Sequence, residues 1–159
     1  MIDRSLYSKN SSIIAKSIAS LLGIGYIPFA PGTMASLFAI IFISLIKPSL
    51  IVLLFVVFIT LIIGTWASQR CEYYWDKDNK KIVIDEFAGQ AIALISIPIN
   101  LNNLLVAFIL FRFFDIVKPP PIRNIEKYLK GGLAVILDDV VAGIFANIFL
   151  QIYLYNWSN

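Results

Sequence analysis

Four stretches of this 159-residue chain carry no charged side chain at all: residues 17–46, 48–69, 87–111 and 140–159. A water-soluble chain of this size has to spread polar groups over its core, and runs of this length leave no room for them. A helix of about 20 apolar residues crosses the hydrocarbon core of a bilayer. Residues 48–69 and 140–157 reach that length without a break. Charged residues make up only 14% of the chain, against about 25% in ordinary soluble domains. Lipid is the solvent this pattern anticipates.

The other two uncharged stretches are interrupted. Gly23, Gly25, Pro28, Pro31 and Gly32 break the first and leave a helix over 33–46. The run from Pro98 to Asn103 reads as a turn that divides the third into helices over 84–98 and 103–117. Together with 49–68 and 137–157, this predicts an all-α fold, a polytopic membrane bundle of about five helices in a single domain over 1–159. An amphipathic or re-entrant segment near 12–25 precedes it. A cleaved signal peptide over 9–30 is the weaker reading, because no small-residue cleavage site follows. Fourteen helical residues rise only ~21 Å against a core of ~30 Å, so some of these helices cross in part. Pro119-Pro120-Pro121 stops the fourth helix. Ile122, Ile125 and Leu129 then share one face of a short interfacial helix, with Arg123, Lys127 and Lys130 elsewhere. Tyr73, Tyr74 and Trp75 suit an aromatic anchor at the membrane surface.

The basic residues test this topology independently. With the N-terminus inside, Arg4, Lys9 and Lys16 fall on the cytoplasmic side, as do Arg70, Lys77, Lys80, Lys81, Arg112, Lys118, Arg123, Lys127 and Lys130. Only Lys47 falls outside. That asymmetry is the one the positive-inside rule demands.

The chain has no histidine and one cysteine, Cys71. Internal disulfides are impossible, and imidazole chemistry is excluded. A cysteine phosphatase would place Arg six residues after its nucleophile, where this chain has Lys77. The aspartyl signature D-x-D-x-[TV] is absent, since Asp138 and Asp139 are adjacent. What remains is carboxylates, basic side chains, hydroxyls and a metal held by oxygen.

Five acids sit where lipid makes them costly: Asp85 and Glu86 heading the third helix, Asp115 near the end of the fourth, and Asp138 and Asp139 heading the fifth. In the five-helix topology all lie at the cytoplasmic ends and converge on one layer. Such a set, free of imidazole, suits a hard cation such as Mg²⁺. The alternative is interfacial pairing with the basic groups, but the two adjacent acidic pairs repel unless a cation or protons intervene. Arg112, Asp115 and Lys118 recur every third residue along one helix face. They could form a structural salt ladder. They also suit phosphate, with a guanidinium fork, an ammonium, and a carboxylate for metal or nucleophilic work. Pro31-Gly32-Thr33 opens a helix on the same side, where free N–H groups and the Thr33 hydroxyl can meet an anion. Arg123 is a further candidate contact for a lipid phosphate.

Four blocks resemble the bacterial phosphatidylglycerophosphatase A family. They are Pro31-Gly32-Thr33-Met34-Ala35-Ser36; Asp85-Glu86-Phe87-Ala88-Gly89; the run from Phe111-Arg112 through Asp115 to Lys118-Pro119-Pro120-Pro121-Ile122; and Gly131-Gly132 through Asp138-Asp139 to Ala142-Gly143. They stand in family order across residues 31–143. The resemblance implies an all-helical, Mg²⁺-dependent phosphatase of the bacterial cytoplasmic membrane, with its site facing the cytoplasm. It would convert phosphatidylglycerophosphate to phosphatidylglycerol and phosphate. By position, Asp85, Glu86, Asp115, Asp138 and Asp139 are the implied metal ligands, and Arg112 and Lys118 the implied phosphate contacts. Asp115 and Asp139 are the carboxylates expected to act most directly in catalysis. The expected partners are a phospholipid substrate and the membrane, not nucleic acid. Two other readings stand beside this one. Another membrane phosphomonoester, such as an isoprenoid phosphate, offers the same phosphate. A small cation or proton transporter could be lined by the acids, but it should place some near the midplane.

The charge asymmetry yields a test of topology. A reporter fused after Trp157 should be external and one inserted near Lys77 cytoplasmic. Both on one side would refute five crossings.

Overall fold

The computed structural model describes residues 9–72, 74–75, 79–120, 122–123 and 131–157. Among these it is all helical, with six helices and no strand: α1 (Lys9–Ala19), α2 (Pro31–Ile46), α3 (Leu50–Cys71), α4 (Ile84–Ala93), α5 (Leu101–Val117) and α6 (Gly132–Trp157), plus a single 3-10 turn at Ile24–Tyr26. The interfacial helix expected through Ile125 and Leu129 lies outside the described residues, except for Ile122 and Arg123. So do Tyr73, Pro121 and the basic residues Arg4, Lys77, Lys127 and Lys130.

The ends of the helices have local and distant causes. Proline is well placed at the first position of α2, where its missing N–H is no loss, so that helix starts at Pro31 rather than at Thr33. Ser49 caps α3 by accepting from Val52 N. Asn100 caps α5 in the same way from Asn103 N, 2.9 Å away. The third expected helix, over 84–98, ends early at Ala93. Its last carbonyls are satisfied from another helix, because Asn147 Nδ2 donates to Ala93 O and Ile95 O. The fifth begins at Gly132, five residues before the expected start. Gly131 adopts a left-handed backbone there (φ 77°), and Gln69 Oε1 of α3 accepts from Gly132 N at 2.8 Å. Asp138 and Asp139 therefore sit in the second turn of α6 rather than at its head.

α4 is the centre of the bundle. Every residue of it is buried except Glu86, which is half-buried. It packs most extensively on α6, then on α2, α3 and α5. Two glycines allow the α4–α6 contact, since a Cβ on Gly143 would run into Gly89 O and one on Gly89 into Asp139 O and the Phe111 ring. The two helices run parallel in matched register. Asp85 lies beside Asp139, Gly89 against Gly143, and Ala93 is bonded by Asn147. Small residues that let backbones meet are a recurrent solution for helices packed in lipid. On its other flank α1 lays Ala15 and Ala19 against Ala67 and Cys71 of α3.

The outer faces are apolar. Ile51, Phe55, Phe58 and Ile62 of α3, and Leu105, Ile109, Phe113 and Ile116 of α5, are all exposed. Each set recurs every three or four residues, the spacing of one helix face. In a soluble bundle that face would be charged. α3 and α6 are both long and apolar enough to cross a membrane, and α3 leaves most of its apolar surface uncovered. α4 rises only ~15 Å, too little to cross alone. Near the start of α4, Lys16 and Lys81 each lie over the Trp75 ring, and Tyr26 meets Trp75 edge-on.

Asn147 is thus a tertiary cap for a helix end inside the bundle. Replacing it by Leu should lower unfolding stability by about 1–3 kcal/mol, the cost of stranding buried carbonyls. Thermal unfolding in detergent would read this; an unchanged midpoint would show that Ala93 O and Ile95 O find other partners.

Candidate active site

The site grows from the first turn of α4. Val83 N is anchored to Ala19 O at 2.8 Å, which fixes where the helix begins. Phe87 locks its roll against α2, with ring centroids 6.1 Å from Phe38 and 6.0 Å from Phe42. Asp85 and Glu86 then occupy the turn where unpaired N–H groups and the helix dipole favour negative charge. Asp85 is turned toward α6. Glu86 is turned toward α2, where its carboxylate lies over Gly32 so closely that a Cβ there would collide with it.

Asp139 completes a trio. One carboxylate oxygen from each of Asp85, Glu86 and Asp139 lies within 4.8 Å of the others. Asp85 and Asp139 are almost wholly buried. Asp85 Oδ1 and Glu86 Oε2 are buried without a hydrogen-bond partner. Three carboxylates cannot be held together in this way uncompensated, because burying unpaired charge costs several kcal/mol per ion. Their oxygens have the chemistry and the spacing to hold a hard metal ion.

Two ion pairs flank the trio. On α5, Arg112 Nη1 meets Asp115 Oδ2. Both residues lie within electrostatic reach of Glu86, and Asp115 also acts on Asp139. At the end of α5, Lys118 takes a left-handed backbone (φ 46°) that closes the helix, with its N–H bonded to Phe114 O. A lysine there is strained relative to glycine. Its ammonium reaches Asp138 Oδ2 at 2.6 Å and ties α5 to α6. Among the described residues, five carboxylates meet one guanidinium and one ammonium, a formal excess of three negative charges. That surplus is the strongest electrostatic feature of the site.

All five sequence-predicted acids therefore come together with Arg112 and Lys118. Thr33 is half-buried in the first turn of α2, next to Gly32. The helix start offered to an anion is faced by Glu86, an arrangement sequence reading did not foresee. Arg123 is exposed beyond the buried Ile122 and forms no ion pair with the described carboxylates. Sequence reading also passed over Gln90, fully buried one turn after Glu86. The available signal was a lone amide inside an otherwise apolar run, one residue past the acidic block.

Fold and site are a helical bundle around a carboxylate cluster flanked by a guanidinium and an ammonium, and the comparisons identify the class as a phosphatase. The sequence model for Phosphatidylglycerophosphatase A matches residues 17–154, and the chain belongs to that family. A relative from Escherichia coli named phosphatidylglycerophosphatase A is 36% identical over 138 residues, covering 85% of this chain and 80% of its own. A Haemophilus influenzae protein of the same name is 49% identical over 70 residues, 43% of each chain. A Bacteroides thetaiotaomicron protein, provisionally named a phosphatidylinositol-3-phosphatase, is 37% identical over 158 residues, 94% of this chain and 98% of its own. No solved structure matches the chain significantly.

Proposed function

We propose that this enzyme hydrolyses phosphatidylglycerophosphate to phosphatidylglycerol and phosphate with Mg²⁺ as cofactor. The observation that carries the reading is the buried Asp85–Glu86–Asp139 trio with its charge surplus, flanked by a guanidinium and an ammonium. The names of the Escherichia coli and Haemophilus influenzae relatives support this substrate.

In this mechanism Asp85, Glu86 and Asp139 would hold the metal, with Asp115 beside them. Mg²⁺, when bound, supplies Lewis acidity at the phosphoryl group and makes water a better nucleophile. Arg112 and Lys118 bind the phosphate and neutralise the charge that grows on its oxygens. Asp115 orients Arg112, and Asp138 orients Lys118 while adding to the negative charge that attracts the cation. Asp139 and Asp115 would be the carboxylates that take up the proton from water. Thr33 and Arg123 are additional contacts at the rim for the headgroup.

The same reading places the protein in the bacterial cytoplasmic membrane as one multi-pass domain of about five membrane helices, with the acids at the cytoplasmic level. α4 together with the chain from 94 to 100 would make one of these crossings. The uncovered apolar faces of α3 and α5 and the placement of the basic residues support this. A second substrate reading, an inositol lipid phosphate, is favoured by the name of the Bacteroides thetaiotaomicron relative.

Phosphate release from the purified protein in detergent would decide among these. The panel should hold phosphatidylglycerophosphate, phosphatidylinositol 3-phosphate and a prenyl monophosphate, each with Mg²⁺ and with excess chelator. Phosphatidylglycerophosphate should turn over fastest, chelation should abolish release, and Mg²⁺ should restore it. Asp115→Asn and Asp139→Asn should each lower turnover ~10³-fold, equivalent to about 4 kcal/mol of transition-state stabilisation, with folded protein still recovered. Full activity in chelator, or near-normal turnover by both folded variants, would sink the mechanism.

A further inference from the structure

Gln90 has no solvent exposure, and it is the largest polar side chain so enclosed among the described residues. Neither its Nε2 nor its Oε1 has a hydrogen-bond partner. Enclosing an unpaired amide is unfavourable, and leucine or methionine would fill the same space without that penalty. Packing alone therefore gives no reason for a glutamine here.

Its place in the bundle supplies one. Gln90 follows Glu86 by four residues, on the same side of α4 and ~6 Å deeper from the carboxylate layer. On that side Glu86 meets Gly32 of α2 and lies within reach of Arg112 of α5. Phe111 packs on Gly89, and the next residue of α5, Arg112, has its Nε buried without a partner. α2 and α5 touch each other little, and α5 touches α4 scarcely more, while α4 is held chiefly by α6 and α2. The seam between the loosely joined α2 and α5 thus has an unpaired guanidinium nitrogen at the site of phosphate chemistry and, one turn below it, an amide with donor and acceptor both unpaired.

We infer that Gln90 is a specificity-determining residue, whose amide pairs with the polar link between the scissile phosphate and the acylated glycerol. This rests on the substrate reading above. A phosphatidylglycerophosphate headgroup carries, inward from its terminal phosphate, a glycerol hydroxyl and then a phosphodiester. The amide accepts from the hydroxyl through Oε1 and donates to an ester oxygen through Nε2, using both halves of the group. A prenyl monophosphate presents hydrocarbon at the same depth and leaves both atoms unpaired. A buried hydrogen-bonding group left unpaired discriminates far more strongly than a gap or a missing methylene does.

The test compares Gln90→Leu and Gln90→Met with the unaltered enzyme, measuring kcat/KM on phosphatidylglycerophosphate and on a prenyl monophosphate in the same micelles with Mg²⁺. The ratio of the two values should fall ~100-fold in both variants, through loss on the glycerol lipid and not on the prenyl phosphate. The melting temperature without substrate should stay level or rise, since no partner is lost. An unchanged ratio would overturn the assignment, as would equal loss on both substrates or a lowered melting temperature in both variants, which mark a structural amide. If the unaltered enzyme prefers the prenyl phosphate, the substrate reading itself falls, an outcome separable from any behaviour of the variants.

Discussion

The parallel contact between α4 and α6 is the constraint on which the rest depends. Three rungs set its register: Asp85 with Asp139, Gly89 with Gly143, and Ala93 with Asn147. The middle rung is steric, because any side chain at Gly143 would strike Gly89 O. The inner rung is polar, and it lets α4 stop after ten residues without stranding its last carbonyls. Those two rungs force the outer one. Two carboxylates are brought together that would separate if the helices could slide or spread.

Around that pair the bundle closes with charges it can only partly balance. Glu86 enters from the same turn because Gly32 of α2 leaves space for it. α5 returns along α4 and delivers Arg112–Asp115, then ends on Lys118, whose left-handed backbone aims its ammonium at Asp138. The apolar exteriors of α3 and α5 put the polar layer at one end of an otherwise greasy molecule. A surplus of buried negative charge within reach of two cationic groups is what a metal-assisted phosphate site needs. It is also a poor way merely to stabilise a bundle.

Much of this was legible in the sequence. The order of the helices, the breaks before α2 and between α4 and α5, and the convergence of five acids follow from apolar run length, proline placement and the cost of charge in lipid. Two of the misplaced helix ends share one cause. α4 stops at Ala93 and α6 starts at Gly132 because Asn147 and Gln69, each from a different helix, satisfy the exposed backbone groups. No local signal reports a cap that arrives from 50 or more residues away. Gln90 was missed for a related reason, since an amide in an apolar run becomes informative only once its lack of partners is known. Glu86 lying over the start of α2 depends on packing between helices, which spacing along the chain does not encode.

The claim that this carboxylate cluster holds a divalent cation can be measured without substrate. Mn²⁺ titrated into the purified protein in detergent and followed by electron paramagnetic resonance should show saturable uptake that Mg²⁺ competes away. Asp85→Asn and Asp139→Asn should each abolish or strongly weaken that uptake while leaving the helical content unchanged. Absence of saturable uptake, or uptake that survives both substitutions unaltered, would contradict the assignment and return the acids to the scaffold.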